Sequence, residues 1–220
     1  MSEPAAIGGR GREQILDGTA ALDEFVRRAG YPSIEAAVAH HTVFLDPATV
    51  AQTGGGALFP VIRNAARRGS VDVVDGREVM HCDNTTPTLA FLWAADRSNG
   101  PDIQFNHVWS RSSDPDCYTA LWNLCCTPAF VAKTSDTHGT IVELLRYRSY
   151  DLYGHRPLGV AAPTPPVGYQ SLEWAAMPPP ATDLEQRLRL RMLSAPKARP
   201  TIAARTIGWL YSQGPDTHLR

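Results

Sequence analysis

The chain has 220 residues, 43% hydrophobic and 20% charged, with 21 basic residues against 22 acidic ones and a formal net charge of -1. That length fits one domain or a core with small elaborations, and the composition is that of an ordinary globular protein, not a disordered or collagen-like one. The balanced charge argues against a non-specific polyelectrolyte binder and leaves room for a local basic patch.

Residues 1–12 are Gly- and Ala-rich and polar, unlike a secretory h-region, and no apolar run reaches the ~20 residues of a membrane span, so a cytoplasmic location is expected. Residues 13–29 space Ile15, Leu16, Ala20, Leu22, Phe25 and Val26 as one face of a helix that stops at Gly30-Tyr31-Pro32. Ser33 caps a second helix to about His41, and Pro47 opens a short segment that Gly54-Gly55-Gly56 interrupts. Residues 58–68 predict a helix with a basic edge of Arg63, Arg67 and Arg68. Residues 71–82 predict a β-hairpin turning at Asp75-Gly76, and the apolar run 87–95 fits a buried helix or a buried strand.

Further on, Thr140-Ile141-Val142-Glu143 reads as a capping box opening a helix with Ile141, Leu144, Leu145 and Leu152 on one face, closing near Gly154. The Pro-rich residues 157–180 predict an extended strap, residues 182–193 a last helix bearing Arg187, Arg189 and Arg191, and residues 206–211 a strand. Cys82, Cys117, Cys125 and Cys126 form neither a CxxC pair nor a disulfide framework, so reduced, partly buried thiols are expected. All basic residues except Lys133 and Lys197 are arginine, a bias that GC-rich coding explains, although arginine also suits bidentate contacts to phosphate and guanine.

The chemistry-bearing stretch is residues 102–136. His107 sits behind Asn106 in the apolar run Ile103–Trp109; a polar loop, Ser110–Asp116, follows; Asn123 opens a second apolar run; Thr127-Pro128 suggests an N-cap with Pro in the first helical turn; and Lys133-Thr134-Ser135-Asp136 ends the segment. Phosphodiester hydrolysis needs a nucleophilic water, a base for its proton and positive charge on the phosphate, and a neutral histidine near pH 7 can be that base. His40-His41 and His81-Cys82-Asp83 lack partners at metal-ligand spacing and read as structural; Asp83 reads as a helix cap, or as a remote member of the site. Trp93, Trp109, Trp122, Tyr147, Tyr150 and Tyr153 are expected to build the core around the motif.

The order Asn106-His107, Asn123-Leu124 and the following Lys133–Asp136 helix end resembles the HNH (ββα-metal) endonucleases over about residues 100–154. The resemblance implies an α+β protein, a ββα-metal finger embedded in a mainly helical single domain. Residues 1–99 would supply recognition or dimer contacts, and residues 155–220 a Pro-rich strap and C-terminal helix. His107 would be the general base, Asn123 the anchor of the loop between the strands, Lys133 a phosphate contact, and Asn106, Asp136 and His138 the candidate metal ligands. Oxygen donors suit Mg²⁺ or Mn²⁺, and zinc or nickel if His138 joins. The chain departs from the family pattern in two places: the acid before the histidine is the amide Asn106, and the third family position falls on Ala132, which cannot bind a metal.

A free-standing HNH chain of this length is similar to type II restriction enzymes, which implies site-specific cleavage of double-stranded DNA by a homodimer, with arginines of 63–68 and 187–191 among the DNA contacts. Two alternatives stay open. One is another HNH nuclease (homing, phage or toxin); the other is a degenerate ββα domain that binds DNA or protein without cutting, which Asn106 and Ala132 favour.

Overall fold

The computed structural model describes residues 17–134 and 139–193. Asp17 accepts from the backbone N–H of Thr19 and Ala20 at 3.0 and 3.1 Å and opens helix α1 (Gly18–Arg28). Ser33 Oγ accepts from Ala36 N–H at 3.2 Å and opens α2 (Ile34–His41). Asp46 caps α3 (Pro47–Ala51), where Pro47 gives up only an N–H that the first turn would leave unused.

Residues 58–68 do not form the expected helix. Val61–Arg63 is a strand, β1, and Ala65–Arg67 makes only a 3₁₀ turn. Pro60 has no N–H for a helix, and the β-branched Val61 and Ile62 find a partner in β3 (Arg77–Cys82), which β1 pairs in parallel from Val61↔Met80 to Arg63↔Cys82. β2 (Val71–Val74) pairs with β3 antiparallel, giving the order β1-β3-β2. The turn between them puts Asp75 at φ 50° and Gly76 at φ 75°, the pair of positive values that a two-residue hairpin turn demands.

The ambiguous apolar run is a helix, α4 (Thr85–Ala95), with Ala90, Phe91, Leu92, Ala94 and Ala95 all buried. Because it is apolar on nearly every side, no face stands out in the sequence. β4 (Ile103–His107) and β5 (Leu124–Pro128) then pair antiparallel, Ile103 opposite Pro128 and His107 opposite Leu124. Val43 bridges the outer edge of β5, exchanging two 2.9 Å backbone hydrogen bonds with Cys126.

A one-turn helix, α5 (Ala129–Ala132), follows β5 directly. The start expected at Thr127-Pro128 shifts later, because Thr127 stays in the sheet opposite Gln104 and its hydroxyl accepts from Asn106 Nδ2 at 2.7 Å rather than capping a helix. α6 (Gly139–Tyr153) carries Ile141, Leu144 and Leu145 on its buried side and ends before Gly154 at φ 69°. Thr140 lies inside this helix; its hydroxyl donates to Glu35 Oε1 at 2.8 Å, tying α6 to α2 in place of the expected capping box.

The Pro-rich residues 157–180 run without regular structure apart from a 3₁₀ turn at Tyr169–Ser171. Tyr169 pins the strap: its ring meets Tyr147 edge-on at 4.6 Å and its hydroxyl donates to Asp151 Oδ2 at 2.7 Å. Gln52 fastens the far end, donating to Ala181 O at 2.7 Å and accepting from Leu184 N–H at 2.8 Å. α7 (Leu184–Leu193) buries Leu184 and Leu188 in the same core and sends Arg187 to the Ala94 carbonyl at 2.7 Å. The strand expected at 206–211 lies outside the described residues. The chain is thus a mixed α+β fold with small sheets, in which one continuous core runs from Val26 through Trp109, Trp122 and Leu145 to Leu188. No described helix is long and apolar enough to cross a membrane.

Candidate functional site

His107 is the last residue of β4 and is half-buried. Its imidazole lies nearly parallel on the ring of Tyr118, 4.9 Å between centroids and 11° between planes. Its Nε2 is 2.9 Å from the Tyr118 carbonyl oxygen. A carbonyl only accepts, so Nε2 carries the proton, and in the neutral ring Nδ1 is the basic nitrogen. Tyr118 thus fixes the ring twice, by its face and by its backbone.

The loop that delivers Tyr118 is held by Asn123, which is fully buried. Asn123 Oδ1 accepts from Trp109 N–H at 2.7 Å, while its Nδ2 donates to Trp109 O at 3.2 Å and Cys117 O at 3.0 Å. One amide therefore joins both ends of residues 109–117. Val108 N–H to Asn123 O at 2.9 Å extends the β4–β5 ladder by one step, and Thr119 locks the loop's far side by donating to Phe59 O and accepting from Phe59 N–H, both at 3.0 Å. The strand–loop–strand–helix order of residues 103–132 follows from these contacts.

Asn106 and His107 diverge. Successive strand residues project to opposite faces, so His107 shares a face with Phe105, whose ring packs against Phe91 at 5.3 Å, while Asn106 is buried on the other face against Thr127. Ala132 is buried, and Lys133 is exposed at the end of α5. Asp136 and His138 lie outside the described residues. Among the described residues no group of three His, Cys, Asp or Glu side chains could hold a metal ion. No family model, curated protein or solved structure matches the chain. What the site can do therefore rests on its own geometry.

The other ionisable side chains near these elements are committed to structure. Burial raises the pKa of every cysteine thiol, Cys126 to about 11, so none offers a thiolate near neutrality. Burial likewise raises the Tyr118 phenol, which stays protonated and donates to Asn84 Oδ1 at 3.3 Å. Asp83, one residue before the Asn84 N-cap of α4, accepts from Thr85 N–H at 3.0 Å and pairs with Arg68 at 2.8 Å. His81 pairs with Asp72 at 2.7 Å, and His41 Nε2 meets the Tyr31 hydroxyl at 2.9 Å.

Most arginines expected at DNA are engaged within the protein. Arg67 makes two 2.7 Å hydrogen bonds to Asp72, Arg68 pairs with Asp83, Arg189 with Glu185 and Arg191 with Asp96. Tyr118 and Asn84 are the site residues that sequence reasoning missed. No local pattern marks them; loop closure by Asn123 brings Tyr118 to His107, and the start of α4 brings Asn84 to the Tyr118 hydroxyl.

Proposed function

We propose that this protein is a DNA endonuclease of restriction type, in which His107 takes the proton from the water that attacks the phosphodiester. The observation that carries the reading is the double hold of Tyr118 on His107. It selects the tautomer with a basic Nδ1 and stops the ring from turning. When Nδ1 gains the proton, the charge is stabilised by the carbonyl that accepts from Nε2–H and by the Tyr118 π face beneath the ring. Asn123 acts at one remove, by setting the loop on which Tyr118 sits.

The described residues do not by themselves make a divalent-cation site. In this reading Asp136 or His138 would hold the Mg²⁺ or Mn²⁺, which would supply positive charge for the phosphate; Asn106 lies on the hairpin face opposite His107. Lys133, exposed after α5, would contact a phosphate. The substrate would be double-stranded DNA and the active species a homodimer.

The direct test is incubation of the chain with supercoiled plasmid in Mg²⁺, with an EDTA control. Discrete, EDTA-sensitive fragments support a restriction enzyme, and a smear supports a non-specific HNH nuclease. Intact plasmid with retained binding supports the second reading, a non-cleaving DNA- or protein-binding domain. That reading is favoured by two observations: Asn106 is a buried amide whose Nδ2 donates to Thr127, and Ala132 stands buried at the family's third position.

A further inference from the structure

Three arginines among the described residues stand apart from the rest: Arg63, Arg111 and Arg146 make neither an ion pair nor a guanidinium hydrogen bond to any described residue. The others find carboxylates, as Arg27, Arg28, Arg67, Arg68, Arg77, Arg148, Arg189 and Arg191 do, or backbone carbonyls, as Arg97, Arg156 and Arg187 do. The three exceptions come from distant parts of the sequence and meet at one place, residues 109–112, where the chain leaves His107.

Each is brought there by a specific contact. Arg63 ends β1, and its backbone N–H donates to Ser112 O at 2.8 Å. Arg111 belongs to the loop, and its backbone N–H donates to Trp109 O at 2.7 Å. Arg146 reaches over from α6, its guanidinium carbon 4.9 Å from the centre of the Trp109 ring. Arg63 and Arg111 are exposed and Arg146 is half-buried, its Nε enclosed without a partner. Packing on an indole holds Arg146 in place without occupying its fork of terminal N–H donors.

The loop's own acids make no ion pair with these three arginines. Asp116 is held by Arg77 through two bonds of 2.8 and 2.9 Å, and Asp114 Oδ1 accepts from Asp116 N–H at 2.9 Å. In a chain of net charge -1 whose other described arginines are engaged, three unpaired arginines seated at one loop mark an anion-binding face.

We propose that Arg63, Arg111 and Arg146 hold the phosphate backbone of double-stranded DNA at the loop beside His107. The assignment rests on the nuclease reading for its ligand and replaces Arg67, Arg68, Arg187, Arg189 and Arg191 as the principal contacts. Phosphate contacts position the duplex and carry no sequence information, so the three arginines set affinity and register while recognition lies elsewhere.

The test is fluorescence anisotropy with a labelled duplex of about two helical turns, in EDTA, across a salt series. The proteins are the full chain and its Arg63→Ala, Arg111→Ala and Arg146→Ala variants, with Arg67→Ala and Arg189→Ala as ion-paired controls. Arg146→Met keeps the stem on Trp109 and serves if Arg146→Ala does not fold. Each of the three losses is expected to weaken binding by about five- to tenfold on every duplex tested and to lower the slope of log affinity against log salt by about 1, with the controls near the parent. Parent-like binding by the three variants, equal losses in the controls, or no binding by the parent overturns the proposal. Arginine-dependent binding without any cleavage in Mg²⁺ keeps it while removing the nuclease reading. Cleavage that ignores the three arginines does the reverse.

Discussion

The imidazole of His107 lies flat on the phenol ring of Tyr118, 4.9 Å away at 11°, and bonds to the carbonyl of the same residue at 2.9 Å. Stacking and tautomer selection come from one residue, yet only the stacking depends on its side chain. Tyr118→Phe keeps the face and loses the phenol's hydrogen bonds to Asn84 and Cys82, neither of which touches the imidazole, so in the nuclease reading cleavage near the parent rate is expected. Tyr118→Leu removes the π face that supports the imidazolium, worth about 0.5–2 kcal/mol, and is expected to slow plasmid cleavage by roughly 2- to 30-fold. Equal rates for the two variants would show that the stack does not support the charged ring.

Asn123→Ala strips Trp109 N–H, Trp109 O and Cys117 O of their buried partner. Leaving buried backbone groups unpaired costs about 1–3 kcal/mol each, partly recovered by relaxation, so a loss of about 3 kcal/mol is expected in urea denaturation. Asn123→Asp keeps the acceptor for Trp109 N–H but sets a carboxylate against two carbonyls, and should destabilise at least as much. Parent-like stability of either variant would contradict the anchoring role.

Stability should fall on mild acidification. Burial lowers the pKa of His41, with the neighbouring His40 charge adding to it, and burial lowers that of His155. The unfolded chain therefore takes up these protons first, near 6.5, while the folded chain resists. Their contribution is complete above that pH and is lost as pH drops through it toward the lower folded values. Denaturation midpoints at about pH 7.5 and about pH 5.5 should show the loss, and His41→Gln with His155→Gln should flatten it. The aspartates held below their usual value, Asp72, Asp83 and Asp96, titrate lower still and do not enter this window. An unchanged slope in the double variant would place the acid sensitivity elsewhere.

Gly55 is held at φ 82°, and a Cβ there would sit 2.4 Å from His155 Cε1, while its carbonyl accepts from Trp122 Nε1 at 2.7 Å. Gly55→Ala combines left-handed strain with displacement of the His155 ring. Gly76→Ala, at φ 75° with open space around it, carries the strain alone, about 1–2 kcal/mol. Gly55→Ala should be the more destabilising of the two in thermal melts. The opposite order would mean that His155 moves aside at no cost.

Local signals in the sequence proved legible where the structure is local. Ser33 caps α2, Asp75-Gly76 turns the hairpin, and Gly154 follows the end of α6, because each depends on neighbours within a few residues. Signals failed where a distant partner decides. Val61–Arg63 becomes a strand because β3 lies beside it in parallel, and Thr127, a good cap by residue type, gives its hydroxyl to Asn106 across the sheet. His107 and Asn123 stood out by residue type and order. Tyr118 did not, since its position comes from loop closure, and the three unpaired arginines emerge only once the carboxylates of the others are known.

In the nuclease reading His107 is the base. Its most direct test is the single-turnover rate of supercoiled plasmid cleavage in Mg²⁺ by His107→Ala, alongside its melting temperature and duplex affinity. A positioned general base contributes about 10²- to 10⁴-fold, so a loss of that size is expected, with folding and binding near the parent. Cleavage by the variant at the parent rate would contradict it.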